Sequence, residues 1–189
     1  KNSKENNVFH GGNFHGDYIS LEMDKLKIAI TKLSILAERQ LNFLLNNNLN
    51  TQFPPFLNAG KLGFNFGFQG IQYTATSTVA ENQSLCNSVY VHSIPNNNDN
   101  QDVVSMGTNS AIIAKRVIEN SYQVMAIHLM AICQAADLLE EGKFDKLSEK
   151  SKELYKIIRL KADFIKDDVS QSEKINDISE YIKENPFSL

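Results

Sequence analysis

The sequence predicts an all-α protein built as a bundle of long helices. Apolar residues recur at intervals of three and four along several long segments, which is the period of one helix face. Only residues 89–91 suggest the two-residue alternation of a strand. The chain has 189 residues, of which 42% are hydrophobic, and this is enough to bury a sizeable core in one domain or at most two.

The first helix is predicted over residues 17–46. Its apolar residues follow the helical period and are expected to face the core: Leu26, Ile30, Leu33, Ala37, Leu41, Leu44 and Leu45, widened by Met23, Ile28 and Ile35. The asparagine run 46–48 is expected to end this helix, because asparagine side chains compete with the helix backbone and tolerate left-handed dihedrals.

An irregular passage follows at residues 49–66, where the adjacent Pro54 and Pro55 exclude a helix interior. Its many phenylalanines predict packing against another chain or a missing part of the same one. A second helix is predicted over residues 68–86, and a second polar break over residues 87–107.

The next helix is predicted over residues 108–141, with Gly142 as its stop. Two shorter helices complete the chain, at residues 145–167 with Asp145 as the N-cap and at residues 172–184 with Ser172 as the N-cap.

These elements divide the chain into three regions. Residues 1–16 form an irregular N-terminal segment, residues 17–142 form the long-helix bundle with its two polar loops at 49–66 and 87–107, and residues 143–189 form the C-terminal helices.

The composition argues against several function classes. The formal net charge is −3, with 19 basic and 22 acidic residues interspersed, so nucleic acid is not an expected partner. No apolar run reaches the roughly 20 residues needed to span a membrane. Cys86 and Cys133 are expected to be buried free thiols in a reducing compartment, which predicts a cytoplasmic protein.

No metal site is predicted. His10 and His15 lie close together, but no third ligand accompanies them. The oxygen-bearing side chains of residues 96–102 imitate a calcium loop. Such a loop needs glycine at its sixth position and glutamate at its twelfth, and these positions hold Gln101 and Gly107.

Two glycine-edged polar segments, residues 11–16 and residues 100–107, interrupt the helical pattern, and function in helical proteins tends to lie on such breaks. Taken alone, the first segment is most simply a turn that caps the first helix. Glu81 and Asp137 lie beside apolar neighbours on predicted helices, and we expect each to form structural hydrogen bonds or ion pairs.

Five short motifs carry a resemblance to a known family. The motifs are Gly12-Asn13-Phe14-His15-Gly16, Pro54-Pro55-Phe56-Leu57, Gly63 to Gly67 leading into a helix, Glu81-Asn82-Gln83, and Asn100-Gln101-Asp102 with Ser105-Met106-Gly107. Their order and rough spacing resemble those of the aromatic amino acid ammonia-lyases, which include histidine, phenylalanine and tyrosine lyases and aminomutases. The resemblance covers nearly the whole chain and implies the C-terminal part of an ammonia-lyase-like (fumarase/aspartase-like) fold.

The resemblance implies non-oxidative elimination of ammonia from an aromatic L-amino acid, giving an arylacrylate. Such enzymes use a methylidene-imidazolone (MIO) electrophile formed from Ala-Ser-Gly, with no metal. That tripeptide is absent from this sequence, so it is expected upstream of this segment, and the segment alone is expected to be inactive with no catalytic residue of its own. The family also implies a homo-oligomer, with a tetramer as the expected state.

The resemblance implies that Asn13, Phe14, Asn100 and Gln101 bind substrate and that His15 supports the turn. In the histidine lyases the position of Gln101 is a glutamate. A neutral phenyl or phenol ring gains nothing from a buried charge, so glutamine favours tyrosine or phenylalanine as substrate over histidine. Two alternatives remain open: an aminomutase of the same family, and a helical oligomerisation remnant without catalysis.

Overall fold

The computed structural model describes residue 11 and residues 15–185, and throughout this part the chain is helix and loop. The all-α prediction is confirmed, with five α-helices in the order α1 (Asp17–Leu45), α2 (Gln69–Ser84), α3 (Gly107–Asp137), α4 (Glu149–Arg159) and α5 (Ser172–Glu184). Short 3-10 turns at Pro55–Leu57 and Phe144–Lys146 punctuate the loops.

Helices α1 and α3 run parallel, and α2 lies antiparallel beside both. At their starts, the Ser110 hydroxyl donates to the carbonyl of Ser20 over 3.1 Å. Near their ends, Leu41 of α1 and Met130 of α3 belong to the same apolar core. Between them, Asn82 near the end of α2 donates to Ser34 Oγ over 3.3 Å. The chain therefore returns along α2 before α3 starts again beside the start of α1.

The apolar core lies around the second halves of α1 and α3. Leu41, Leu57, Phe68 and Ile127 are almost wholly buried there, and α5 closes one side with its buried isoleucines. Burial of this kind supplies most of the favourable free energy of folding.

The first half of α1 reverses the expected pattern. Five residues of its inner face are polar and buried: Ser20, Asp24, Lys27, Thr31 and Ser34. Leu26 and Leu33 point outward instead, and Leu33 is 60% exposed. The predicted stripe is thus confirmed at Ala37, Leu41 and Leu45 and wrong at Leu26, Ile28 and Leu33. Four of these five side chains of the polar inner face, all but Ser20, find polar partners among the described residues, which offsets the cost of their desolvation.

Two predicted helix boundaries are wrong near the end of α3. The helix ends at Asp137, four residues before the predicted limit, where the amide of Leu138 turns back to the carbonyl of Ala135. Helix α4 begins only at Glu149, because the Ser148 side chain accepts from the amide of Ser151. Asp145, the predicted N-cap, lies instead in the 3-10 turn.

Helix α4 ends at Arg159, earlier than predicted, because the chain turns there and the Arg159 guanidinium donates to the carbonyl of Ala162 over 2.9 Å. The predicted range of α5 is confirmed, although its N-cap is Gln171 and not Ser172. The suggested strand at residues 89–91 is wrong, because Val89 begins a turn closed by the amide of His92. Among the described helices, none is both long and apolar enough to cross a bilayer.

Candidate functional site

The two polar segments singled out in the sequence meet in space. The Ser105 hydroxyl donates to the backbone carbonyl of His15, which lies 90 positions away in the chain. A Cβ on Gly107 would stand 3.3 Å from the Gly16 carbonyl oxygen, so the two chains approach closely there. The starts of α1 and α3 therefore lie side by side at one end of the bundle.

Each long helix is preceded by a residue in the left-handed region. Gly16 has φ +64° and Met106 has φ +49°. Glycine adopts this conformation without strain, whereas methionine adopts it at a cost of about 1 kcal/mol or more. The strained Met106 directly follows Ser105, whose hydroxyl is bonded to His15. The surrounding contacts therefore fix the backbone where the starts of α1 and α3 meet.

The predicted polar loop carries Asn100 and Gln101 on a small closed turn. Asn96 and Gln101 exchange backbone hydrogen bonds of 3.1 and 3.3 Å. Between them, the residues at 97–99 all have positive φ, which asparagine and aspartate tolerate better than other side chains. The backbone conformation of this loop therefore explains why it is rich in asparagine.

Asn100 is exposed and Gln101 is half-buried. Within the part of the chain that the structure describes, neither side-chain amide forms a hydrogen bond, so both remain available to a ligand. His15 is exposed beside Ser105. Asn13 and Phe14 lie outside the described residues, and their assigned roles remain predictions.

Sequence reasoning missed the polar group that anchors this region, Asp24. Its carboxylate is buried and accepts hydrogen bonds from the amides of Val89 and Tyr90, each 2.8 Å long, and from the hydroxyls of Ser88 and Ser110. It also pairs with Lys27 Nζ at 2.8 Å. The local pattern of Asp24, an opposite charge three residues away at Lys27, is shared by the exposed Glu22–Lys25 pair and does not single it out in the sequence.

The environment of Asp24 keeps it ionised. Burial acts to raise the pKa of this carboxyl, but the hydrogen bonds from Lys27, the Tyr90 amide, Ser88 and Ser110 outweigh burial and hold the pKa well below its ordinary value. Nearby, the carboxylate of Asp17 and its hydrogen bond raise the pKa of Tyr90.

Below this anchor, Asn82 links the three long helices. Its side chain donates to Ser34 of α1 and to Ser121 of α3, and it accepts from Asn120 over 3.0 Å. Its neighbour Glu81 pairs with Arg116, as the structural interpretation predicted. The same interpretation is confirmed for Asp137, which is held by Arg159 and Tyr155.

A separate cleft of about 710 Å³ lies at the opposite end of α2, beside Gly70, Tyr73 and Asp168. Helix α2 has 16 residues and is ~24 Å long, so this cleft is remote from the Asn100 loop. Both cysteines are free, with Cys133 buried and Cys86 only partly so. In the described part of the chain, no group of three or more His, Cys, Asp or Glu side chains is arranged to hold a metal.

Comparison with known proteins identifies the fold and the family. The model of the family described as aromatic amino acid lyase matches residues 1–160. The chain belongs to the aromatic amino acid lyase family. It is 38% identical over 181 residues to a tyrosine ammonia-lyase of Cupriavidus metallidurans, an alignment that covers 96% of this chain and 34% of that relative.

Two further relatives of this lyase-family chain differ in reaction and substrate. A MIO-dependent tyrosine 2,3-aminomutase of Streptomyces globisporus is 46% identical over 152 residues, covering 80% of this chain and 28% of the relative. The crystal structure of histidine ammonia-lyase from Trypanosoma cruzi superimposes with a TM-score of 0.86 at 31% identity, over 95% of this chain and 34% of that one. The chain thus spans about a third of the length of these relatives.

Proposed function

We propose that this chain is the C-terminal third of an aromatic amino acid ammonia-lyase. The complete enzyme would eliminate ammonia from an aromatic L-amino acid, tyrosine or phenylalanine in preference to histidine, and release an arylacrylate. One observation carries the proposal beyond family membership. The His15 turn and the loop bearing Asn100 and Gln101 converge at one end of the bundle, joined through Ser105.

The available amides define what this chain would do in the reaction. Asn100 and Gln101 each offer an N–H donor and a carbonyl acceptor that are not engaged with other described residues. Such groups bind and orient a polar substrate without adding charge. Asn13 and Phe14 are proposed to complete the pocket as a polar anchor and an aromatic wall.

The choice of substrate rests on Gln101. A carboxylate at this position would suit an imidazole ring, which donates hydrogen bonds or carries charge. A neutral amide suits a phenol or phenyl ring, because no buried charge has to be desolvated beside it. The tyrosine-specific names of two relatives agree with this preference, and the histidine ammonia-lyase shares the same fold.

The electrophile must come from outside this sequence, which contains no Ala-Ser-Gly. When present, the methylidene-imidazolone supplies the electrophilic centre that makes the substrate amine a leaving group.

We also propose that the complete protein forms a homo-oligomer, with four copies as the expected number. The outer face of α1 supports this, because it exposes a series of large apolar side chains that an isolated chain leaves in water: Ile19, Leu21, Leu26, Ile28, Leu33, Leu36 and Phe43.

The test uses the complete protein that contains this chain, supplied in turn with L-tyrosine, L-phenylalanine and L-histidine. We expect an arylacrylate, detected by its ultraviolet absorbance, from tyrosine or phenylalanine. The intact mass should be two waters below the sequence mass, because that loss accompanies formation of the electrophile. Gln101→Glu should depress turnover of tyrosine or phenylalanine more than it depresses the unfolding midpoint.

A second candidate function is favoured by the aminomutase relative. In that case the ammonia is added back at the neighbouring carbon, and the product is a β-amino acid with no accumulated arylacrylate. Chromatography of the products separates the two reactions. A complete protein with unmodified mass and neither product would instead establish a non-catalytic oligomerisation remnant.

A further inference from the structure

The long loop between α2 and α3 is fastened near both ends to a single carboxylate. Near its start, Ser88 Oγ and the amides of Val89 and Tyr90 donate to Asp24 Oδ2 over 2.7–2.8 Å. Just past its end, Ser110 Oγ of α3 donates to Asp24 Oδ1 over 2.8 Å. Closing a loop costs conformational entropy, and this carboxylate fixes both ends at once.

Lys27 completes the anchor. Its ammonium lies 2.8 Å from Asp24 Oδ1 and donates to the backbone carbonyl of Asn87 over 2.6 Å. Both side chains are buried, with exposures of 0% for Lys27 and 4% for Asp24. A buried ion pair is often no more stabilising than apolar residues of the same volume, so stability alone does not explain this pair.

The rest of the loop is tied across itself above the anchor. The amide of Val104 donates to Ser93 Oγ over 3.0 Å, and Asn96 and Gln101 close the tip with their paired backbone hydrogen bonds. The loop is therefore cross-linked at three levels, and the lowest level is Asp24. Short backbone segments join the three levels, so a displacement of the lowest level would pass to Gln101 along two stretches of chain that are tied together at each level.

We propose that Asp24, held by Lys27, is a positioning residue that sets the place of Asn100 and Gln101 without touching the substrate. This inference rests on the proposed function for its catalytic consequence. Its structural part, the control of the loop tip from the buried anchor, stands independently of which reaction the complete protein performs.

The first arm of the test measures backbone amide exchange by NMR in this chain. In Asp24→Asn/Lys27→Met, which removes the buried pair without leaving an unpaired ammonium, we expect exchange at Val89, Tyr90 and Gln101 to become about tenfold faster or more, while amides in the core of α3 around Ile127 keep their rates. The matched control is Glu22→Gln. It breaks the exposed Lys25–Glu22 pair, which has the same spacing and the same 2.8 Å distance.

Two results of this arm would overturn the proposal. One is faster exchange at Val89 and Tyr90 with an unchanged rate at Gln101, because the anchor would then hold only its immediate neighbours. The other is an equal effect of Glu22→Gln on all three amides, because any change of charge on α1 would then act alike.

The second arm measures steady-state kinetics in the complete protein. Asp24→Asn should raise KM by about tenfold with a smaller change in kcat, because misplaced binding groups weaken the ground state and the transition state together. The double variant Asp24→Asn/Lys27→Met removes the unpaired buried ammonium. It should recover the unfolding midpoint but leave KM raised and exchange at Gln101 fast.

A double variant that restores KM together with the unfolding midpoint would show that the pair acts only on stability, and the positioning role would be rejected. A wild-type complete protein without lyase or aminomutase activity would refute the proposed function. The amide-exchange arm would still decide the positioning role in that case.

Discussion

The two halves of the bundle are built on opposite principles. Where α1 and α3 begin, the interior is polar, with Asp24 and Lys27 buried, and the apolar side chains of α1 face outward. Where the same helices end, Leu41 and Met130 lie inside in an ordinary apolar core. The apolar half gains free energy from burial in any closely packed arrangement, whereas the polar half is stable only where every donor meets its acceptor. The candidate site lies at the half whose geometry is specified by hydrogen bonds.

The largest loss of stability is expected when the buried ion pair is broken. Asp24→Asn should lower the free energy of unfolding of this chain by about 3–5 kcal/mol, because the Lys27 ammonium is then buried without a counter-charge. Glu22→Gln removes an equally short pair whose side chains are 54% and 62% exposed. It should change the same quantity by less than about 0.5 kcal/mol. Urea denaturation followed by circular dichroism measures both, and similar losses in the two variants would refute the contrast.

The next prediction concerns the apolar half. Leu41→Ala should lower the free energy of unfolding by about 3 kcal/mol, because Leu41 is fully buried and its removal leaves a cavity among α1, α3 and their neighbours. Leu36→Ala, on the exposed face of the same helix, is the control and should change this chain by less than about 0.5 kcal/mol. A large effect at Leu36 would refute the contrast, because it would mean that this face is already covered within the chain.

The sequence predicted the helices far better than their faces. The start of α1 at Asp17 and its end near Asn46 follow from local signals, namely a glycine turn and an asparagine run. The orientation of Leu26 and Leu33 does not follow from them, because apolar periodicity identifies a face that avoids water without saying what covers it. Likewise Asp145 and Ser148 are both good N-cap residues, and only the 3-10 turn decides between them.

The candidate site was predictable in part for the same reason. Glycine-edged polar segments mark breaks in the helices, so the His15 turn and the Gln101 loop stood out in the sequence. Asp24 did not, because its five partners come from three separate segments and no local pattern brings them together. A residue whose partners are distant in the sequence can be recognised as an anchor only when the fold is known.

The two halves of the bundle are expected to lose stability in different pH ranges. In the apolar half, burial lowers the pKa of His128 below its ordinary value of 6.5, so the unfolded chain takes up a proton first and stability falls as the pH drops below about 6.5. In the polar half, the depressed pKa of Asp24 gives stability that is complete above the carboxyl's ordinary pKa of 3.8 and is lost as the pH falls below it.

Each of these two losses of stability can be tested with its own variant by measuring the free energy of unfolding as a function of pH. His128→Gln should flatten the pH dependence of the free energy of unfolding just below pH 6.5, and Asp24→Asn should flatten it below about pH 4, each by up to about 1.4 kcal/mol per pH unit. If either variant flattened both windows, the two halves would not titrate independently, and the division of the bundle would have to be abandoned.

The smallest effect on folding is expected at Leu33, and there the consequence should appear in assembly. Ile19, Leu26 and Leu33 lie seven residues apart along α1 and are all exposed, a spacing that places them in one row suited to packing against another helix. Leu33→Ser should change the free energy of unfolding of this chain by less than about 0.5 kcal/mol, since the side chain makes few contacts within it.

In the complete protein, the same Leu33→Ser change should reduce the assembly mass measured by analytical ultracentrifugation, because the proposed contact between copies loses its apolar row. Lys150→Ser is the matched control: Lys150 is exposed on α4, away from the outer face of α1, and its replacement should leave the mass unchanged. An unchanged mass in Leu33→Ser would remove this face of α1 from the interface. The outward apolar side chains of the polar half would then need an explanation other than contact between copies.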